Sequence, residues 1–149
     1  MSANGTAQHF KPDPQHQLKE MALTIFLEAS GEKYRGKLAV AWVITNRVAD
    51  PRWPETPEKV CWDPHQFSCN EIDAKTTEWR NARLQNAIQG QAYTDSWKAA
   101  CSAFFGFEPD PTKGATHYLV TSIQDQTYWA KGKLPCAVIG HHSFFSTID

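Results

Sequence analysis

The sequence predicts one mainly helical α+β domain with a small β-hairpin near its C-terminus. Apolar residues recur at helical spacing over residues 18–29, and residues 37–48 are almost wholly apolar, as in a buried helix. Residues 115–120 and 137–145 change to short runs typical of strands. A chain of 149 residues with 41% hydrophobic side chains suits a single core.

The first helix has clear boundary signals. Residues 1–13 are expected to form a flexible polar arm, and residues 14–149 to form a single folded domain. Asp13 is expected to cap a helix that begins at Pro14 and ends near residue 30, because a carboxylate cap and a first-turn proline suit a helix start. Gly31 stands at the C′ position, where glycine commonly follows a helix.

The middle of the chain is less regular. Three prolines within residues 50–57 exclude continuous secondary structure there, and residues 60–70 form a long aromatic loop of the kind that lines a site. A weaker helix is predicted over residues 77–89, closed by Gly90. Asp95 is expected to cap a further helix over residues 96–105.

Charge and cysteine content limit the function classes. The net charge is −1, from 15 basic and 16 acidic residues. This balance does not indicate binding to nucleic acid or a polybasic patch that would bind a membrane surface. No apolar run reaches membrane-spanning length, so stable membrane insertion is not expected. The N-terminus lacks a basic and an apolar signal region, which predicts cytoplasmic synthesis without a signal peptide. The four cysteines form no CxxC pair and are expected to be free thiols, with a Cys61–Cys69 bridge as the alternative.

Glu28 is the first candidate for chemistry. It falls at the edge of the apolar stripe in the last turn of the first helix. Apolar neighbours, the negative end of the helix dipole and the nearby Glu32 charge all favour the protonated carboxyl that a general acid requires. The alternative is a partly exposed glutamate without a role.

Other chemistries find weaker support. His117, His141 and His142 with Asp110 or Asp125 could form a zinc site. Adjacent strand residues point to opposite faces, however, so no metal site is predicted, and one histidine of the pair is expected to face a cleft. Cys136 is interpreted as a small buried side chain rather than a nucleophile. Arg47 is interpreted as a cation at a helix C-terminus.

A carboxyl among apolar residues, beside loops rich in aromatic and amide side chains, is typical of carbohydrate-cleaving enzymes. Cleavage needs an acid for the leaving oxygen, and sugar rings need stacking surfaces and amide donors. Gln66, Asn70, Tyr118 and Trp129 suit that task. Each of the four could equally serve packing or loop solvation.

Several separated segments, in order, resemble the SleB/CwlJ-type cell-wall hydrolases, which include spore cortex-lytic enzymes and phage relatives. Residues 25–32 read IFLEASGE, where the family has roughly IYxEARGE, with Ser30 in place of the usual arginine. The further matching segments are GKLAVAWVITNRV (36–48), QFS (66–68), GATHY (114–118), Trp129 and GHHSFF (140–145).

The resemblance implies a lysozyme-like fold and cleavage of peptidoglycan glycan strands without a cofactor. By position it makes Glu28 the general acid and Glu32 a candidate second acid. Lytic transglycosylase chemistry is expected, with a muramidase as the alternative and an amidase, endopeptidase or non-catalytic glycan-binding module from other classes. The expected substrate-binding residues are Gln66, Phe67, Asn70, Tyr118, Trp129, His141 and His142.

The resemblance also suggests a biological setting. A compact catalytic domain without a wall-binding module looks like a phage endolysin, which reaches the cell wall in the periplasm after release by a holin-like partner. We expect a monomer.

Overall fold

The computed structural model describes residues 13–64, 66–71, 73–85 and 90–149, and it is mainly helical with one small antiparallel sheet. This architecture confirms the predicted α+β class. The arm predicted over residues 1–13 lies outside the described residues except for Asp13. The elements are α1 (Pro14–Ala29), α2 (Tyr34–Ala49), α3 (Pro57–Cys61), α4 (Ala74–Leu84), α5 (Gln91–Phe105), β1 (His117–Val120), β2 (Ala137–Ile139) and β3 (His142–Phe145).

The core forms where α1, α2 and α5 pack together. Met21 and Ile25 of α1 and Ile44 of α2 are completely buried. Small side chains of α5, including Ala99 and Ala100, let the helices approach closely and are themselves inaccessible. Burial of each large apolar side chain contributes about 1.5–3 kcal/mol, so this three-helix contact is the main source of stability.

Both ends of α1 lie near the predicted residues. Asp13 Oδ1 accepts a hydrogen bond from the Gln15 amide at 3.1 Å, and Pro14 occupies the first turn. At the other end Gly31 does not adopt the left-handed conformation. The buried Lys37 ammonium instead donates to the carbonyl oxygens of Ser30, at 3.4 Å, and Glu32. A lysine from the next helix therefore binds the carbonyl groups at the end of α1 and just beyond it.

The later helices differ from the prediction. The helix expected from residue 96 begins at Gln91 with Gly90 as its N-cap, so Gly90 starts this helix rather than closing the previous one. Asp95 lies within that helix, where its Oδ1 accepts from Gln91 Nε2 at 2.8 Å. The helix expected over residues 77–89 is α4, capped by Asp73, and residues 86–89 lie outside the described part of the chain.

The two strands predicted over residues 115–120 and 137–145 correspond to β1 and to β2 with β3, which form one antiparallel sheet in the order β1-β3-β2. Residues 137–145 form two strands rather than one because Gly140, with φ of +58°, reverses the chain between them. Tyr118 of β1 pairs with Phe144 of β3. Phe144 packs with Ala39 and Val43 of α2, which joins the sheet to the helices.

Among the helices that the structure describes, none combines the length and apolarity that a membrane crossing requires.

Candidate active site

Glu28 lies where the end of α1 meets the sheet. It is partly exposed, whereas its neighbours Leu27 and Ala29 are buried. Its Oε1 accepts a hydrogen bond of 2.7 Å from the Tyr118 hydroxyl. Burial, together with the Glu28 charge, raises the pKa of Tyr118 well above its usual value, so this hydroxyl keeps its proton. The site therefore presents a carboxyl with one oxygen held by a neutral donor.

The loop after α3 forms a second wall. Asn70 is buried, and its Nδ2 donates to Thr24 Oγ1 and to the Cys61 carbonyl, both at 3.0 Å. Its Oδ1 accepts from Arg80 Nε at 3.2 Å. These bonds fasten the loop to α1 and α4, and they occupy the amide that the sequence predicted for substrate binding.

Cys69 joins this wall to Glu28. Burial, reinforced by the Glu28 charge, raises the pKa of the Cys69 thiol, so the thiol stays neutral beside the carboxyl. Cys69 also lines a groove of about 310 Å³ together with Ser68 and Trp79. The Trp79 side chain is 45% exposed and presents an aromatic surface beside the site.

All four cysteines are free thiols in the structure. Cys61 is fully buried, and burial raises its pKa to about 12. The Cys136 thiol donates to the Thr112 carbonyl at 3.0 Å, which agrees with a packing role. The Cys61 thiol therefore lacks the lowered pKa that a nucleophilic thiol needs.

Arg47 lies in the last turn of α2, as predicted, and it also connects that helix to β1. Only 4% of the residue is exposed, and its Nε donates to the Thr116 carbonyl at 2.7 Å. The guanidinium lies over the rings of Trp53 and Phe67, at 5.2 and 5.3 Å. Burial lowers its pKa, and the neighbouring Tyr118, Asp63 and Glu28 partly offset that effect.

Glu32 has a very different environment. It is buried just after α1, where its Oε1 accepts from the His141 amide at 2.8 Å and its Oε2 lies 2.7 Å from His141 Nδ1. Burial alone would raise the pKa of Glu32. The hydrogen bonds from His141 and the charges of His142 and His141 outweigh burial and lower it. The candidate second acid is therefore an enclosed carboxylate that already has its partners.

The two adjacent histidines face different surroundings, as predicted. The His141 side chain is 81% exposed, and that of His142 is buried. Both rings nevertheless reach Glu32, because His141 belongs to the turn before β3. Across the described residues, no group of three or more histidine, cysteine or carboxylate side chains is arranged to hold a metal ion.

The remaining predicted binding residues divide into two kinds. Gln66 is exposed and free to meet a ligand. Phe67 is 2% exposed beneath Arg47, so its ring belongs to the core and offers no surface to a sugar. Trp129 is partly buried between His117 and Phe145, at ring distances of 5.2 and 5.5 Å.

Sequence reasoning missed Cys69 and Trp79 as neighbours of the site. Thr24, which accepts from Asn70, was missed as well, although it precedes Glu28 by one helical turn and so shares its face. Cys69 and Trp79 come from a loop and a helix whose positions depend on tertiary packing.

The fold and the two glutamates at the end of α1 correspond to a known class of enzyme domain. A family model described as Cell Wall Hydrolase matches residues 31–145, so the chain belongs to that family. Glu32, Tyr118 and both adjacent histidines lie within the matched region, and Glu28 lies three residues before it.

Individual relatives agree with this assignment. A spore cortex-lytic enzyme of Bacillus cereus is 30% identical over 123 residues, which cover 73% of this chain and 45% of that enzyme. The chain thus corresponds to less than half of that relative's length.

Two solved structures extend the similarity to the fold. The catalytic domain of the Bacillus cereus SleB protein has a TM-score of 0.68 and 27% identity, over 92% of this chain and 94% of that domain. The catalytic domain of the germination-specific lytic transglycosylase SleB from Bacillus anthracis has a TM-score of 0.68 and 26% identity, over 91% and 100%. The predicted resemblance and lysozyme-like fold are confirmed.

Proposed function

We propose that this protein cleaves the β-1,4 bond between N-acetylmuramic acid and N-acetylglucosamine in peptidoglycan, with Glu28 as its single acid and base. The observation that carries the proposal is the partly exposed Glu28 carboxyl, held at one oxygen by Tyr118, beside the groove of Ser68, Cys69 and Trp79. Such a carboxyl can transfer a proton to a bound glycan, whereas the Glu32 carboxylate is already paired with His141.

The reaction proceeds in two proton transfers. Glu28 first protonates the glycosidic oxygen as the bond from C1 of muramic acid breaks, which releases the N-acetylglucosamine side as an alcohol. The Glu28 carboxylate then accepts the proton of the muramic acid C6 hydroxyl while that oxygen bonds to C1. The product is a 1,6-anhydro sugar, no water is consumed, and Glu28 regains its proton. The Tyr118 hydroxyl stabilises the carboxylate between the two steps.

A muramidase is the alternative within the same class, and it needs a second carboxylate to activate water. Among the carboxylates of the nearby loop, Asp73 is occupied as a helix cap, because it accepts from the Thr76 amide at 2.8 Å and from its hydroxyl at 2.9 Å. Asp63 shares the electrostatic surroundings of Arg47 with Glu28 and is the better candidate base. The name of the Bacillus anthracis relative favours transglycosylation.

The test is mass spectrometry of muropeptides released from purified peptidoglycan. Wild type is expected to release 1,6-anhydro ends, and Glu28→Gln is expected to remain folded and release nothing. Glu58→Gln, a substitution in the distant α3, serves as the control and should retain activity. Fragment release by Glu28→Gln at the wild-type rate would refute the assignment, and reducing ends in place of anhydro ends would establish the muramidase alternative.

The classes beyond glycosidases give different results in the same assay. An amidase or endopeptidase would release peptides and leave the glycan strands intact, with loss of activity on chelation or thiol blocking. A glycan-binding module would retain the strands and release no fragments.

We also propose the expected setting, in which a monomer reaches the cell wall with the help of a holin-like, membrane-permeabilising partner. Expression of the protein in the cytoplasm of a bacterial host should then lyse the cells only when such a permeabilising protein is co-expressed. Lysis without it would contradict this part of the proposal.

A further inference from the structure

We infer that Glu32 is a positioning residue that acts on Glu28 through His142 and Tyr118. This inference rests on the proposed role of Glu28 as the general acid. The four side chains form a continuous series from the enclosed turn after α1, through β3 and β1, back to the last turn of α1.

The first member of the series is Glu32, whose side chain is confined to one position. A Cβ atom at Gly140 would lie 2.5 Å from Glu32 Oε1, and one at Gly36 would lie 2.9 Å from Glu32 Cβ. Both glycines therefore make room for this side chain. The Lys37 ammonium holds the Glu32 backbone carbonyl, and the His141 amide holds its carboxylate at 2.8 Å. Glu32 is thus fixed through both backbone and side chain.

The second member is His142. Its Nδ1 lies 3.1 Å from Glu32 Oε1, at ion-pair distance but without the alignment of a hydrogen bond. That nitrogen is buried and has no hydrogen-bond partner among the residues that the structure describes. A buried nitrogen without a hydrogen bond is unfavourable unless a nearby charge compensates it. The Glu32 carboxylate, 3.1 Å from His142 Nδ1, supplies that charge. Glu32 therefore sets the orientation of the imidazole.

The third step passes from His142 to Tyr118. The two rings meet edge to face, with centroids 5.1 Å apart and planes at 89°. Phe144 stacks with Tyr118 at 5.7 Å and 26°. The register pairs Tyr118 with Phe144, so Phe144 is its direct cross-strand neighbour and His142 a diagonal one. The tyrosine ring is held by both, and its hydroxyl is directed at Glu28 Oε1, 2.7 Å away.

These contacts account for a second glutamate whose carboxylate is already paired within the protein. Glu32 is 9% exposed and has its hydrogen bonds satisfied within the protein, so it neither donates a proton to a glycan nor binds one. Its influence on the reaction passes through the direction of one hydroxyl group. A donor displaced from a reacting group by a fraction of an ångström lowers the rate of chemistry without weakening substrate binding.

The test is a double-mutant cycle between Glu32 and Tyr118, measured as kcat and KM on soluble glycan fragments. Glu32→Gln and Tyr118→Phe are each expected to lower kcat about ten-fold with KM unchanged. The double variant should be no slower than Tyr118→Phe, because the loss of the hydroxyl removes the group through which Glu32 acts.

A matched control is available on the other side of the molecule. His16 and Glu58 also form a His–Glu pair at 2.7 Å, which is exposed, so Glu58→Gln tests the loss of such a pair away from the site and should leave kcat unchanged. Circular dichroism establishes that each variant is folded. Should Glu32→Gln fail to fold, His142→Asn, which removes the ring edge against Tyr118, takes its place in the cycle.

Two outcomes would overturn the inference. One is a double variant about a hundred-fold slower than wild type, which means that the two effects multiply and are independent. The other is a change confined to KM. If either occurs while Glu28→Gln is inactive, the proposed function stands and this inference alone fails. An active Glu28→Gln would instead refute the proposed function.

Discussion

The last turn of α1 and the turn that follows it each hold a glutamate, and the two environments are opposite. Glu28 is partly exposed, and its Oε1 accepts a hydrogen bond from the Tyr118 hydroxyl. Glu32 is buried and meets a backbone amide and two histidine rings. One carboxyl is left available for chemistry, and the other is used to hold the structure.

The difference between the two regions comes from the sheet. β1 supplies the end of α1 with a single neutral donor, Tyr118, whereas the turn between β2 and β3 surrounds Glu32 with His141 and His142. Two carboxylates four residues apart are close in sequence and alike in chemistry. Their functions are separated by the strands that pack against them.

The largest expected effect contrasts the two glutamates directly. Glu28→Gln should lower the rate of glycan cleavage about a thousand-fold with little change in melting temperature, because a general acid contributes about 10²–10⁴ to the rate. Glu32→Gln should lower the melting temperature and reduce the rate far less, because it weakens buried contacts. Muropeptide release and thermal unfolding of both variants are the measurements. Equal rate losses with equal melting temperatures would remove the distinction.

The next effect concerns the space that surrounds Glu32. Gly140→Ala should destabilise the fold by about 1–3 kcal/mol, because alanine is strained at a φ of +58° and its Cβ would lie 2.5 Å from Glu32 Oε1. Gly31→Ala is the matched control, since a Cβ there meets no atom within 4 Å and the backbone is not left-handed. Urea denaturation compares the two. Equal stabilities would show that the enclosure of Glu32 is not tight.

A similar loss is expected for the buried lysine. Lys37→Met should destabilise the protein by about 1–3 kcal/mol, because the carbonyl groups of Ser30 and Glu32 would lose a donor in a buried site. The exposed Lys33→Met provides the comparison and should be nearly neutral. Denaturant titration measures both variants, and a neutral Lys37→Met would contradict the capping role.

The smallest effect is a pH dependence specific to Glu32. The pKa of Glu32 in the folded state lies below the ordinary value of 4.5. As the pH falls below 4.5, the unfolded chain therefore takes up the proton at a higher pH than the folded protein does. The stabilisation is therefore present above about pH 4.5 and is lost as the pH falls through the folded-state pKa.

Unfolding free energies of wild type and Glu32→Gln, measured between about pH 6 and pH 3, test this dependence. The variant should lose less stability over that interval than wild type does. Parallel curves of unfolding free energy against pH for the two proteins would show that Glu32 is not responsible for the pH dependence.

Much of the fold could be predicted where the signals were local. Asp13 and Pro14 gave the start of α1 because capping depends on neighbouring residues in the chain. The start of α5 was predicted wrongly at residue 96. Asp95 was predicted as the N-cap in preference to Gly90, because carboxylates frequently cap helices. Packing against α1 and α2 instead extends the helix one turn further towards the N-terminus.

The candidate site was predictable to a smaller extent. Glu28 stood out because a carboxyl lies at the edge of an apolar stripe. Phe67 and Asn70 were expected to bind sugar. The Phe67 ring is buried in the core, however, and the Asn70 amide is hydrogen-bonded within the protein. A sequence pattern identifies residue types suited to a ligand, but it does not reveal whether another part of the chain already uses them.

The sequence by itself determined the helices of the core, the change to strands near the C-terminus and the place of both glutamates at one helix end. These features follow from periodicity, capping and hydrophobicity, which act over a few residues. Only the tertiary structure decided that Tyr118 meets Glu28 and that Gly140 makes room for Glu32 beside the two histidines. Such contacts join residues about a hundred positions apart, and their energies exist only once the helices and the sheet have packed together.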